Sequence, residues 1–294
     1  MVERVLVRAV IFLQSWALSK RRVQEPPTQT FFDSTNLEKG NYTGEEGRGM
    51  GMPKHLVTGG AGFVGSRLVE MLLEEGNEVI CVDNLVGTDG SLNNIEHLLT
   101  SPNLEFHRDD FVEWIESNSL DGVDTVFHQA ASKMTVSLEF PEKDLRVNAL
   151  GTQRLVRKAA EGGVRKVVLA STGSVYGDLV AIQDESHPTN PNSLYGVSKL
   201  AGEGYTRAIS MMWGLDYTIL RYFHVIGSRQ NDSPTGGVVP IFLRKSRDGE
   251  NLTIFGDGEQ IRSFTWVDDV ARANILVSQS PEASNRTFNC ASGI

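Results

Sequence analysis

Tyr195 and Lys199 stand four residues apart in Ser193-Leu-Tyr195-Gly-Val-Ser-Lys199-Leu-Ala-Gly-Glu-Gly204. The run reads as a helix, so both side chains project from one face, a turn apart. A phenol with a pKa of roughly 10 is a poor base near neutral pH, but a neighbouring ammonium stabilises the phenolate and lowers that value. Lys199 would therefore make Tyr195 a usable proton acceptor. A Tyr-x-x-x-Lys also arises by chance and then marks only a solvated helix surface, so its company decides. About 20 residues upstream, Ser171-Thr172-Gly173-Ser174 follows the apolar run Arg165-Lys-Val-Val-Leu-Ala170. Hydroxyl side chains there could bond a reacting oxygen and the tyrosine together; the bland alternative is a strand-to-loop cap.

A second constellation opens the regular part of the chain. His55-Leu-Val-Thr58 reads as a short strand, and Gly59-Gly-Ala-Gly62-Phe63-Val64-Gly65 turns it into a helix through Leu68, Val69, Leu72 and Leu73. Gly59 permits the tight turn, Gly62 lets backbone approach a pyrophosphate, and Gly65 allows close helix–strand packing. The helix start would face the phosphates with free N–H groups. Glu78-Val-Ile-Cys-Val-Asp83 then reads as a strand ending in an acid. An acid there would bond ribose hydroxyls and repel a 2'-phosphate, which favours NAD over NADP.

The intervening elements must bring these two groups together. A helix is expected over 91–99 and strands over 104–107 and 123–127; Asp110 stands where it could accept from an adenine amino group or cap the next helix. His128 reads as a packed, hydrogen-bonded residue rather than a catalytic acid, and small Ala130 and Ala131 make room for a cofactor beyond the strand end. A long helix over 142–161 carries Asn148 and Gly151, a fifth strand delivers Ser171, and a polar loop over 177–192 precedes the tyrosine helix, which ends near Trp213-Gly214. With a sixth strand over 216–220, the alternation calls for an α/β fold with a doubly wound parallel sheet of Rossmann type. Past Arg221 the rhythm breaks: a polar loop over 228–237, a helix over 239–248, a strand Leu252-Thr-Ile-Phe255, a turn, and a helix beginning near Asp268. The expected organisation is a leader over 1–51, an NAD-binding domain over 52–222 with 264–279 packed back onto it, and a smaller substrate lobe over 223–263 and 280–294.

A formal net charge of -9 argues against nucleic acid as a partner. Cys81 and Cys290 lie in apolar runs without ligand spacing, which points to buried thiols, a reducing compartment and no metal. No apolar run reaches the roughly 18 residues that span a bilayer. The run Ala9–Leu18, flanked by Arg and Lys, is the nearest candidate for a targeting segment; the preferred reading is a disordered leader ending before Met52.

From Met52 onward the chain resembles the extended short-chain dehydrogenases/reductases, and within them the nucleotide-sugar 4-epimerases of the UDP-glucose 4-epimerase group. The resemblance rests on Thr58-Gly-Gly-Ala-Gly-Phe-Val-Gly65, Val82-Asp-Asn84, Asn148-Ala-Leu-Gly-Thr152, Ser171-Thr-Gly-Ser-Val-Tyr-Gly177, Tyr195-Gly-Val-Ser-Lys199 and Leu220-Arg-Tyr-Phe223. It implies that Thr172, Tyr195 and Lys199 are catalytic. It implies NAD contacts from Gly59, Gly62, Phe63, Val64, Gly65, Asp83, Asn84, Asp110, Phe111, Ala130, Ala131, Lys133, Asn148, Ser171 and Tyr222 besides Tyr195 and Lys199. For a UDP-sugar substrate it implies Lys133, Thr172, Gly173, Ser174, Tyr195, His224, Thr253, Phe255 and Arg262, with Thr253 and Phe255 on a strand lining the uridine. The implied reaction oxidises the sugar transiently to a 4-keto form and reduces it on the other face, with NAD regenerated. Sugar 4,6-dehydratases of this family carry Asp-Glu before Val-Tyr-Gly, where this chain has the non-ionisable Gly173 and Ser174; epimerisation needs neither acid. A homodimer formed through the helices near 143–161 and 193–213, a cytoplasmic location and no membrane partner complete the expectation.

Three departures from the family pattern stand out. His224 replaces the usual Asn, Ser263 replaces the Asp of Arg-Asp-Phe, and the sequence ends at Ile294, where relatives carry a further segment completing the sugar site, so either a fragment or a minimal substrate lobe is expected. Rival readings are epimerisation of a UDP-uronate or UDP-N-acetylhexosamine, an NAD-dependent sugar reductase, and a non-catalytic NAD-binding sensor.

Overall fold

The computed structural model describes residues 52–86, 92–178, 183–233 and 236–292. The leader expected over 1–51 and parts of the loops near 87–91, 179–182 and 234–235 lie outside them. Seven strands form one parallel sheet in the order β3-β2-β1-β4-β5-β6-β9: β1 (Lys54–Thr58), β2 (Glu78–Val82), β3 (Leu104–His107), β4 (Val123–His128), β5 (Lys166–Thr172), β6 (Asp216–Tyr222) and β9 (Arg286–Cys290). The order reverses at β1, which lies between β2 and β4 with Thr58 opposite both Val82 and His128. Such a reversal opens a crevice at the carboxyl ends of the strands, where ligands of doubly wound sheets bind.

Central strands of a two-sided sheet must be apolar on both faces. Leu56, Val126 and Val167 accordingly pack on one side with Phe111, Trp114, Leu155 and Ile209, and Val57, Phe127 and Val168 on the other with Leu68, Leu72, Ala271 and Ile275. The first face holds α2 (Phe111–Ser117), the helical run 141–161 and α6 (Leu194–Trp213); the second holds α1 (Phe63–Glu74) and α8 (Val267–Gln279). The run 141–161 consists of α4 (Pro141–Leu145), a π-helical turn (Arg146–Gly151) and α5 (Thr152–Glu161), preceded by the short α3 (Met134–Glu139). Helix α7 (Val238–Arg247) follows β6, and β7 (Val225–Ile226) pairs with β8 (Thr265–Trp266) in a small second sheet.

Three expectations fail. Residues 92–99 form two short 3₁₀ turns, Leu92–Asn94 and Glu96–Leu98, rather than one helix. Leu252–Phe255 is not a strand: the segment is largely exposed and pairs with no neighbour among the described residues. Arg286–Cys290, assigned by sequence to the substrate lobe, is the seventh strand of the main sheet, beside β6. Helix α8 packs against α1, with Arg67 Nε donating to Asp268 at 3.1 Å.

Candidate active site

The glycine turn joins β1 to α1 at the crevice. Gly59 has φ +69, and a Cβ there would lie 2.6 Å from the backbone nitrogen of Ala130; a Cβ on Gly65 would meet the Gly59 carbonyl at 2.1 Å. Only glycine lets β1, β4 and α1 approach this closely. Gly62 begins α1 with no side chain to cap it, and no acidic residue follows in the first turn. Half-buried Phe63 and Val64 form that turn. Asp83 lies behind it: Oδ2 accepts from Ala61 N–H at 3.0 Å and Oδ1 from Leu85 N–H at 2.8 Å, while burial raises its pKa. The acid expected to meet a ribose thus also braces the glycine turn, with carboxylate lone pairs remaining. Asn84 is exposed and closes an Asx turn onto Val86.

Ser193 caps α6 by accepting from Gly196 N–H at 3.1 Å, and Gly214 at φ +70 ends it. Tyr195 therefore sits in its first turn, hydrogen-bonded to Thr172 at the end of β5. Lys199, one turn on and buried, donates to the Ala170 carbonyl at 2.5 Å. The three side chains named from sequence thus meet at the carboxyl end of β5. Their electrostatics differ from expectation. Burial, then the nearby Asp144 carboxylate, pushes the Tyr195 phenol up to about 12, opposed by the Thr172 hydrogen bond. Burial pushes Lys199 down to about 8, opposed by Glu203 and Asp144. The phenol is raised rather than lowered, because burial desolvates the phenolate and the Asp144 carboxylate repels it.

Other expected residues have defined partners. Ser171 Oγ donates to Glu203 at 2.6 Å, which commits its proton to that carboxylate. Asn148 accepts from Ser132 N–H at 2.9 Å and donates to Asp144 and Ser198, so its side chain joins three segments. Asp110 caps α2 through Val112 N–H and receives Arg146 at 2.9 Å. The Phe111 ring is enclosed against His128 and Gly151, in the core rather than the crevice. Tyr222 bridges Gln129 and Asn274 through its hydroxyl. His128 is fully enclosed between Thr58 at 2.7 Å and Thr152 at 2.9 Å, and burial lowers its pKa to about 3. It is a packed neutral histidine.

After β5, a Cβ on Gly173 would lie 2.5 Å from the Phe223 ring, so an acid at that position would displace the ring. Ser174 Oγ lies 3.2 Å from Thr172 Oγ1. His224 has φ +36, the left-handed region in which Asn, Asp and His are the side chains most often found. Burial and Arg262 lower its pKa, so the two lie near each other. Ala130 and half-buried Lys133 follow β4 on either side of exposed Ala131. Thr253 receives Lys245 at 3.2 Å and Phe255 is 81% exposed; losing the expected strand removes the argument that placed them beside a uridine. Sequence reasoning missed Glu203, Arg221 and Asp144. Glu203 was visible as an acid four residues past Lys199, whereas Asp144 reaches the site only through the tertiary fold.

These features fit a dinucleotide. The uncapped α1 terminus offers N–H groups to an anion, and beyond β4 the buried Ser132 hydroxyl has no partner among the described residues. A profile of the NAD dependent epimerase/dehydratase family matches residues 55–291. The chain belongs to that family. It is 41% identical to a putative UDP-glucose 4-epimerase of Methanocaldococcus jannaschii over 75% of this chain and 72% of that one. Among solved structures, UDP-glucose 4-epimerase of Thermotoga maritima with UDP-glucose gives a TM-score of 0.75 at 38% identity, covering 82% of this chain and 77% of that one. The UDP-N-acetylglucosamine 4-epimerase of Methanobrevibacter ruminantium gives 0.77 at 34% identity, covering 83% and 78%. The chain is an NAD-dependent enzyme of the extended short-chain dehydrogenase/reductase class, with a Rossmann sheet.

Proposed function

We propose that this enzyme interconverts a UDP-hexose and its 4-epimer, with UDP-glucose and UDP-galactose as the substrate pair. The observation that carries the reading is the Thr172–Tyr195 hydrogen bond beside buried Lys199, with the non-ionisable Gly173 and Ser174 where a dehydratase needs acids. The naming of UDP-glucose 4-epimerases among the relatives supports it.

Gly59, Gly62 and Gly65 with the start of α1 would hold the NAD pyrophosphate, Asp83 a ribose, and Lys199 the nicotinamide ribose. Bound NAD supplies a hydride acceptor and, when oxidised, a positive ring. Tyr195 takes the proton of the sugar 4-hydroxyl, Thr172 orients that oxygen, and Lys199 stabilises the phenolate. The sugar would turn about its phosphate bond while Tyr195 keeps the proton, which it would return to the same oxygen once the other face is presented. His224 and Arg262 would hold the diphosphate through that rotation. Two unpaired buried thiols, Cys81 and Cys290, support a reducing, cytoplasmic setting. Among the described residues no helix is long and apolar enough to cross a membrane. We further propose a homodimer through α6 and the 141–161 helix.

Tyr195→Phe is expected to lower interconversion of UDP-glucose and UDP-galactose about a thousandfold while NAD bound to the purified protein stays at the parental level. A Phe variant turning over at the parental rate overturns the mechanism. Parallel assays with UDP-N-acetylglucosamine and UDP-glucuronate, and their galacto epimers, identify the sugar.

A further inference from the structure

Glu203 is wholly enclosed, and each of its oxygens accepts two hydrogen bonds. Oε1 accepts from Ser171 Oγ at 2.6 Å and Arg221 Nε at 2.9 Å; Oε2 accepts from Arg221 Nη2 at 2.7 Å and Arg207 Nη2 at 2.6 Å. Arg221 also donates to the Tyr176 hydroxyl at 2.7 Å, and Tyr176 donates to Asn289 at 2.8 Å. One carboxylate on the catalytic helix thus ties α6 to β5 and β6 and, through Tyr176, to β9. Desolvation of an ion pair this enclosed largely offsets its Coulomb attraction, and an apolar pair would pack as well. Stability alone therefore gives no reason for it. Its placement does: Glu203 lies one turn from Lys199 and two from Tyr195, and it grips Ser171, between the Lys199 acceptor Ala170 and Thr172.

We propose that Glu203 is a positioning residue: clamped by Arg221, it fixes the register of the catalytic helix against β5 so that Tyr195, Lys199 and Thr172 converge, and its charge holds Lys199 as an ammonium. The inference rests on reading those three residues as the acid–base group of the epimerisation. Lys199 faces Tyr195 and Glu203 on its own helix, Asp144 on α4 and the neutral His128 on β4, while Arg221 and Arg207 lie behind Glu203. Burial drives the ammonium toward losing its proton, and Glu203 is the first of the two acids that resist. Without that carboxylate, Asp144 alone would oppose burial and the two guanidinium groups.

The test uses the full chain with its NAD and three variants, Glu203→Gln, Glu203→Asp and Ser171→Ala. Lys199 is titrated by NMR of isotope-labelled lysine and assigned with Lys199→Arg. In Glu203→Gln the Lys199 midpoint is expected to fall by about one pH unit or more, carrying the alkaline limb of kcat with it, and kcat to fall about tenfold or more at little-changed KM. Glu203→Asp keeps the charge on a shorter arm, and Ser171→Ala keeps the ion pair but cuts its bond to the strand; both should lower kcat severalfold and leave the midpoint in place. If Glu203→Gln does not fold, these two variants decide the positioning role. A parental midpoint in folded Glu203→Gln, or parental kcat in both milder variants, overturns the proposal. The midpoint is read without substrate, so a parent chain that interconverts no epimers defeats the functional reading and leaves the midpoint to judge this one.

Discussion

His128 illustrates how one buried side chain links cofactor crevice, catalytic helix and stability. Thr152 Oγ1 donates to the Asn148 carbonyl at 2.7 Å, so it must accept from His128 Nε2–H, which leaves Nδ1 to accept from Thr58. The chain of bonds has one direction and no place for a second ring proton. The folded pKa of about 3 lies below the ordinary 6.5, so stability from the neutral ring is fully present above 6.5 and is lost as pH falls toward 3. The slope in that window is about 1.4 kcal/mol per pH unit. Urea midpoints between pH 7 and 5 should therefore fall more steeply in the parent than in His128→Gln; equal slopes would refute the assignment. At this scale the sequence was informative where chemistry lies within one element, as with Tyr195 and Lys199. It gave the wrong sign for the phenol's shift, because Asp144 and the desolvating wall that raise it come from other elements.

The helical run over 141–161 was legible as one long helix; its π-helical turn was not, since the cause is tertiary. Residues Arg146–Gly151 carry an extra residue in the turn, and Gly151 takes the place where a Cβ would lie 2.6 Å from the Phe111 ring and 2.8 Å from Val112. The same turn carries Asn148, whose amide reaches Ser198 on the catalytic helix at 3.1 Å. Gly151→Ala should thus cost about 1–3 kcal/mol by overpacking, measured by denaturant unfolding, and should lower kcat beyond what lost folded protein explains. An unchanged unfolding midpoint would show that Phe111 yields freely. Failed expectations at this scale share a cause. Leu252–Phe255 has strand-like residues, yet strands exist only by pairing, and none of the described strands lies alongside. Arg286–Cys290 has a partner in β6, so a segment with no clearer pattern became the seventh strand.

For the molecule as a whole, the surface of the catalytic helix carries the strongest unassigned signal. Leu194, Tyr205 and Met212 fall along one stripe of α6 at helical spacing, with Val197 flanking it, and each is about half exposed or more. Phe140, Leu145 and Leu150, on or beside the 141–161 helix packed against α6, are exposed as well. Scattered apolar residues need no explanation, but exposed ones gathered on two helices that pack together support the proposed contact between copies. A second copy of this chain would meet it with the same two helices, giving a self-complementary four-helix contact across a two-fold axis. Val197→Arg combined with Tyr205→Arg should then give a monomer by light scattering where the parent is a dimer; a monomeric parent at micromolar concentration would defeat the proposal. Because the buried Lys199 and Glu203 lie on the side of α6 away from Leu194 and Met212, the monomer should retain bound NAD yet turn over more slowly, its helix having lost its outer support.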